Sequence, residues 1–359
     1  MHIIFTVASM AGGGAERVIS ILANRLAQKE NKITIIMTAG DKLDYTLDDR
    51  IEVVSTGGLS GGSMTKRIQR IQSLRTIFRK HKDAVIVSFG LGSNFYTAVA
   101  HFGLKNPLII SERNDPAACP HPHLRNMVFG CADKLVFQTE GAVRCFPARL
   151  QRKGVVIANP ISDNIIPPYQ DEREKIIAAV GRLEPQKNYP LMLKAFSKFH
   201  AEIPEYSLHI FGEGYLKEEL QKIAQELGIS DVVVWEGFVK DVHDKIKTAS
   251  MYVLSSDYEG ISNALLEAMA LGLPVISTDC PIGGSALCIQ DEVNGLLVSV
   301  GDSSAMAEAM CRLARDKAMA DRMGCEAVKV RERFSEESIT RQWHEIISQL
   351  TESLRGKVQ

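Results

Sequence analysis

The sequence predicts an α/β protein made of two Rossmann-like domains facing each other across an interdomain cleft, and three features carry that expectation. Short apolar segments alternate with stretches of helical periodicity along nearly the whole chain, as in a parallel sheet covered by helices on both faces. The alternation is interrupted at 159–170, NPISDNIIPPYQ, where three prolines suit a connection between domains, and then begins again. With 359 residues the chain is long enough for two domains of ordinary size.

In the first half the strand-like segments are 3–7, 32–37, 84–89, 107–111, 134–138 and 154–158. The first runs into MAGGGAER at 10–17 and then a helix with Val18, Ile19, Leu22, Ala23 and Leu26 on one face, the strand, glycine turn and helix that open a Rossmann-like unit. Gly12, Gly13 and Gly14 are contiguous rather than spaced G-x-G-x-x-G, so a dinucleotide fingerprint is excluded. A tight turn and a loop whose bare backbone approaches a ligand both fit. Residues 66–82, KRIQRIQSLRTIFRKHK, hold seven Lys or Arg and no acid, with Ile68, Ile71, Leu74, Ile77 and Phe78 on one face. This is either a packed surface helix with a solvated basic side or one that meets anionic lipid or a polyphosphate headgroup through Lys66, Arg67, Arg70, Arg75 and Arg79.

The second series runs 175–180, 207–211, 232–236, 251–254, 274–277 and 296–298. A last helix, capped near Ser335, carries Ile339, Trp343, Ile346, Ile347 and Leu350 on one face. The expected domains are 1–163, 164–335 and a C-terminal helix at 336–359 that crosses back to the first.

Composition narrows the function classes. Apolar content of 45% and charged content of 24% are globular averages. No run reaches the roughly 20 apolar residues of a membrane span, and the N-terminus lacks the positive start of a signal peptide. Seven cysteines without a C-x-x-C read as reduced thiols of a cytoplasmic protein. The prolines in Cys119-Pro-His121-Pro-His123 splay its side chains, and no fourth ligand is evident, so no metal site is expected. Residues up to Asp163 carry 21 Lys and Arg against 13 Asp and Glu, and the remainder 21 against 30, so the first half is built to meet something anionic. No aromatic platform accompanies that charge, which argues against nucleic acid.

The stretch 255–278, SSDYEGISNALLEAMALGLPVIST, organises the second half. Glu259 lies in a glycine-containing loop and Glu267 a turn inside the helix that follows, capped by Ser262 or Asn263. Taken alone, this is equally a helix start with a favourable early carboxylate. Ligands of such sheets bind beyond the carboxyl ends of the strands, which gathers Arg182 and Lys187, the Gly212-Glu-Gly-Tyr215 turn, Gly237-Phe-Val-Lys240 and the Glu259 loop at one edge. A guanidinium that grips two oxygens beside an ammonium suits a diphosphate.

Together G-R-L-x-x-Q-K-N at 181–188, G-x-G at 212–214, G-F-V at 237–239 and E-G-x-x-N-x-L-L-E-A-M-A at 259–270 resemble the family 4 retaining glycosyltransferases of the GT-B fold. G-G-A-E-R-V at 13–18 is similar to the subset that builds bacterial surface polysaccharides and lipid-linked glycans. The resemblance covers nearly the whole chain. It implies that Arg182 and Lys187 bind the donor diphosphate, that Glu267 accepts from the ribose and that Glu259 contacts the donor sugar. It further implies that the backbone of Gly260, Ile261, Ser262 and Asn263 holds sugar and phosphate, that Gly212 and Val239 lie by the nucleotide, and that Gly13 and Gly14 line the cleft. The catalytic set would be Glu259, Arg182 and Lys187, with Arg113 in Ser111-Glu-Arg-Asn114 standing where many members have histidine. An arginine cannot act as a base, so it would be a fixed charge or an acceptor clamp.

The expected reaction moves a sugar from a nucleotide-diphosphate donor, a UDP-sugar or UDP-N-acetylhexosamine, to a polyprenyl-diphosphate-linked glycan at the inner membrane face. No cofactor is expected: the sequence has no Asp-x-Asp triplet to hold a metal. A 2-epimerase or phosphorylase on the same fold, and a non-catalytic membrane-binding protein, are the alternatives.

Overall fold

The computed structural model describes residues 1–57, 62–169 and 171–356, with side chains as far as Glu352. Gln170 of the proline-rich connection and 357–359 of the expected C-terminal helix therefore lie outside the described residues. The chain divides into two compact units, one formed by Met1–Pro160 and the chain from Glu336 onward, the other by Ile161–Ser335.

The first unit has strands β1 (His2–Val7), β2 (Lys32–Met37), β3 (Glu52–Ser55), β4 (Val85–Phe89), β5 (Leu108–Ser111), β6 (Lys134–Phe137) and β7 (Gly154–Val156) in the parallel order β3-β2-β1-β4-β5-β6-β7. Every residue of β1 and β4 is buried, which explains why these strands read as unbroken apolar runs rather than alternation. β3 was not anticipated. It is four residues at the sheet's edge, none of them buried, so no apolar run marks it.

The basic helix is Ser63–Lys80, and of its expected apolar stripe only Leu74 and Phe78 are buried. Ile68 is 49% exposed and Met64, one turn earlier, 66%, so the helix packs through its C-terminal half. The last helix, Glu336–Gly356, belongs to the first unit. Its Trp343 is fully buried and stacks on Phe89 at 5.4 Å, and Glu336 at its start accepts from Arg25 Nε at 2.6 Å.

The second unit has β8 (Glu174–Val180), β9 (Ser207–Phe211), β10 (Val233–Gly237), β11 (Ala249–Leu254), β12 (Val275–Thr278) and β13 (Leu296–Val298), parallel in the order β10-β9-β8-β11-β12-β13. Helices Tyr189–Glu202 and Ser303–Arg315 bury Phe196, Phe199, Met306 and Met310 in its core. The chain reverses direction across the sheet between β8 and β11, the point where such folds open a crevice at the strand ends.

Candidate functional site

At that reversal the loops after β8 and β11 are joined by hydrogen bonds. Asp257 N donates to Gln186 O at 3.0 Å, Gln186 Nε2 to Tyr258 O at 2.9 Å, Ser255 Oγ to Lys187 O at 2.7 Å and Asn188 Nδ2 to Asp257 Oδ1 at 2.6 Å. Asn188 is left-handed (φ 42°) and caps the helix Tyr189–Glu202, so one residue ends the first loop and braces the second. Tyr189 and Tyr252, both buried, donate their hydroxyls to the carbonyls of Gly181 (3.1 Å) and Val180 (3.4 Å). Burial pushes both phenols up, with Glu259 adding to the shift, so they remain hydrogen-bond donors.

On this frame Lys187 Nζ donates to Glu259 Oε1, which also accepts from Ser256 Oγ at 2.9 Å. The two side chains are 14% and 10% exposed, so the ion pair is enclosed yet open at its rim. Gly260 and Ile261 lead from Glu259 to Ser262, whose Oγ accepts from Leu265 N at 3.4 Å and caps the helix Asn263–Ala270. Gly284, at the start of the helix Gly284–Cys288, backs onto this loop so closely that a Cβ there would overlap the carbonyl oxygen of Gly260. One turn inside Asn263–Ala270 the carboxylate of Glu267, 8% exposed, meets His243 Nε2 at 3.0 Å. Arg182, at the head of the loop after β8, is 68% exposed and pairs with Glu184 at 3.1 Å.

Gly212, at the end of β9, lies against the Gly181 carbonyl, where no Cβ would fit, and its N–H donates to Gly237 O at 2.7 Å. Val239 follows β10, half-buried beside the 62% exposed Phe238. The four strands β8 to β11 thus bring Arg182, Lys187, Gly212, Val239, Glu259 to Asn263 and Glu267 to one edge of one sheet. Sequence reasoning missed the loop-bracing Gln186, Ser255 and Asp257, and His243, whose neighbours read as a polar turn. The Q-K-N run at 186–188 was the one available signal for the brace.

The first unit carries the other expected residues. Gly13 precedes the helix Gly14–Gln28 after β1, and its carbonyl accepts from Tyr45 Oη at 2.7 Å. Arg113 follows β5, lies over the Phe89 ring at 5.4 Å and donates to Asn159 Oδ1 and to Ser111 Oγ at 3.4 Å. Desolvation lowers its pKa to about 9, still above neutral pH, so it is a half-buried cation. Its neighbour Glu112 accepts from Arg113 N at 3.1 Å and Asn114 N at 3.4 Å. Burial pushes that carboxyl up to about 7.

On the basic helix Lys66, Arg67 and Arg79 are exposed. Arg70 lies over the Tyr96 ring at 4.7 Å, and Arg75 donates to the carbonyls of Ala100 (2.8 Å) and Phe102 (2.7 Å). Those two of the five expected surface cations therefore bind the neighbouring helix Leu91–His101. Among the described residues no helix is long and apolar enough to cross a membrane.

Residues 163–330 match the family described as glycosyl transferases group 1. A Campylobacter jejuni protein named GalNAc-alpha-(1->4)-GalNAc-alpha-(1->3)-diNAcBac-PP-undecaprenol alpha-1,4-N-acetyl-D-galactosaminyltransferase is 28% identical over 98% of this chain and 99% of its own. A second from that organism, named N-acetylgalactosamine-N,N'-diacetylbacillosaminyl-diphospho-undecaprenol 4-alpha-N-acetylgalactosaminyltransferase, is 26% identical over 86% of this chain and 88% of its own. The solved structure of Anabaena HepE in complex with UDP and glucose superposes with a TM-score of 0.83 at 18% identity, covering 96% of this chain and 99% of that one. That likeness, together with the two parallel sheets, makes the fold a two-domain α/β GT-B fold. The second unit thus matches the group 1 glycosyl transferases, and the chain is similar along its whole length to a bacterial glycosyltransferase.

Proposed function

We propose that this glycosyltransferase is retaining and metal-independent, and that it moves a sugar from a UDP-sugar, an N-acetylhexosamine by preference, to a hydroxyl of a polyprenyl-diphosphate-linked glycan. The observation that carries the reading is the enclosed Lys187–Glu259 pair beside the helix tip Ser262–Asn263. A donor laid along this edge meets a carboxylate suited to sugar hydroxyls, then an ammonium and helix amides suited to phosphate.

Cleaving a sugar–phosphate bond builds oxocarbenium character on the sugar and negative charge on the leaving diphosphate. Lys187, the exposed Arg182 and the helix N-terminus stabilise that charge, which is the larger part of the catalytic task. Glu259, fixed by Lys187 and Ser256, orients the sugar, and Glu267 takes the ribose. The acceptor hydroxyl attacks the face the diphosphate leaves.

Two features support a lipid-linked acceptor: both Campylobacter relatives are named for undecaprenol-linked substrates, and the residues up to Asp163 hold eight more basic than acidic side chains. The exposed Lys66, Arg67 and Arg79, with Met64 and Ile68 uncovered on the same helix, suit peripheral attachment to an anionic leaflet at the inner membrane face.

The test is transfer of label from a panel of nucleotide sugars to lipid-linked acceptors, with the product anomer read by NMR and the assay repeated in chelator. The expected result is label in the lipid fraction only when acceptor is present, with retained configuration and no chelator effect. An epimerised donor sugar, or phosphorolysis of a glycan, in place of transfer would point to an epimerase or phosphorylase. Replacing Lys66, Arg67 and Arg79 with glutamate is expected to lower transfer to lipid acceptor while sparing donor hydrolysis.

A further inference from the structure

Glu267 sits in a helix whose other side chains from Leu265 to Ala270 are buried and apolar. A carboxylate there is costly without a partner. The partner is His243, which comes from a different element, the short helix Val242–Ile246 that follows the Phe238–Asp241 loop at the end of β10. A carboxylate only accepts hydrogen bonds, so the ring nitrogen facing it, Nε2, carries the proton. The bond therefore does two things at once. It sets the direction of the Glu267 oxygens, and it ties the loop carrying Phe238 and Val239 to the helix carrying Glu267. A carboxylate with about four acceptor positions can hold the imidazole and receive ligand hydroxyls together.

We propose that His243 is a positioning residue for the nucleoside half of the donor: by donating from Nε2 to Glu267 Oε2 it presents the carboxylate to the ribose and holds the base-side loop in register with it. This rests on the reading of Glu267 as the ribose acceptor. His243, with its side chain 24% exposed, can be replaced without opening a core cavity.

The experiment measures equilibrium binding of uridine and guanosine diphosphates, with their 2′-deoxy and 3′-deoxy forms, to the full chain and to His243→Phe, His243→Gln and Glu267→Gln. A hydroxyl bonded to a charged acceptor is expected to be worth about tenfold in the wild type. His243→Phe is expected to weaken the ribonucleotide about fivefold while barely moving the deoxy form, so the discrimination shrinks. His243→Gln, whose amide still donates, is expected to restore it. In transfer assays His243→Phe raises the donor KM and leaves kcat within about twofold. An equal loss for ribo and deoxy forms in His243→Phe, or no loss, overturns the proposal while leaving the donor reading standing. If the wild type binds neither nucleoside diphosphate, does not discriminate the hydroxyls, or discriminates them equally well as Glu267→Gln, the ribose assignment itself fails and His243's role falls with it.

Discussion

At the C-terminal edge of the second sheet Glu259 and Glu267 are each met by a side-chain nitrogen from a neighbouring loop or helix, Lys187 and His243. At the same edge of the first sheet Glu112 takes backbone N–H groups from Arg113 and Asn114, and the charges of Arg125 and Arg113 oppose but do not cancel the effect of burial. A side-chain partner fixes where an acid points, whereas backbone amides hold its place and leave its charge to the pH of the solution. The second unit is arranged to present oriented carboxylates, and the first to shelter one that titrates near neutrality.

The largest effect expected from this contrast is that of Lys187→Ala. Losing a cation from a preorganised charge-stabilising site costs about 100- to 1,000-fold in kcat. The same change leaves Glu259, 7% exposed, without its cation, and breaking a buried pair from one side costs about 3–5 kcal/mol. Lys187→Ala with Glu259→Ala is expected to recover most of the stability and none of the activity. Urea unfolding and labelled-donor transfer separate the two, and a single variant as stable as the double would remove the pair from the comparison.

Gly284→Ala comes next and involves no charge. The overlapping atom is a backbone carbonyl, Gly260 O, so the loop bearing Glu259 must move as a whole, at about 3 kcal/mol. Unfolding midpoint and donor KM are expected to change together, and a shift in the midpoint alone would mean that the loop's position does not matter to the donor.

Glu112→Gln tests the other side of the comparison. The folded carboxyl holds its proton up to about 7, while the unfolded one releases it near 4.5. The group's contribution to stability is therefore fully present below about 4.5 and is lost as pH rises through 7, a swing of about 3 kcal/mol. Glutamine keeps the acceptor oxygen for the two amides and cannot titrate. Melting between pH 5 and 8 is expected to be flatter in the variant, and equal slopes would mean that Glu112 is solvated.

How far all this could be read in advance depended on which forces were local. Strands buried on both faces leave unbroken apolar runs, so β1, β4 and β11 were legible, whereas Glu52–Ser55, half-solvated at an edge, was not. The parallel topology then places the loops after β8 to β11 at one edge. Lys187 and Glu259, however, are 72 residues apart, and no periodicity reports their bond. His243 lies in Lys-Asp-Val-His-Asp-Lys at 240–245, a composition indistinguishable from a solvated turn. The stripe Ile68, Ile71 and Ile77 follows helical spacing but is left partly uncovered, because periodicity shows which face is apolar and not what lies against it.

The smallest structural effect is expected at Gly13, the counterpart in the first unit of Gly284. Its φ of −94° is open to any residue, and it precedes the helix Gly14–Gln28 without a side-chain cap. The atoms nearest to a Cβ would be those of the Glu16 carboxylate, the far end of a flexible side chain. Gly13→Ala should therefore cost about 1 kcal/mol or less, the difference between glycine and alanine at a helix start. The two readings of the glycine run separate at this point. If bare backbone at 12–14 approaches a ligand, the added methyl lowers kcat/KM at least about tenfold, more than the stability change accounts for. If the glycines only turn the chain from β1 into the helix, transfer stays within about twofold of the wild type, and close backbone approach is confined to the second unit.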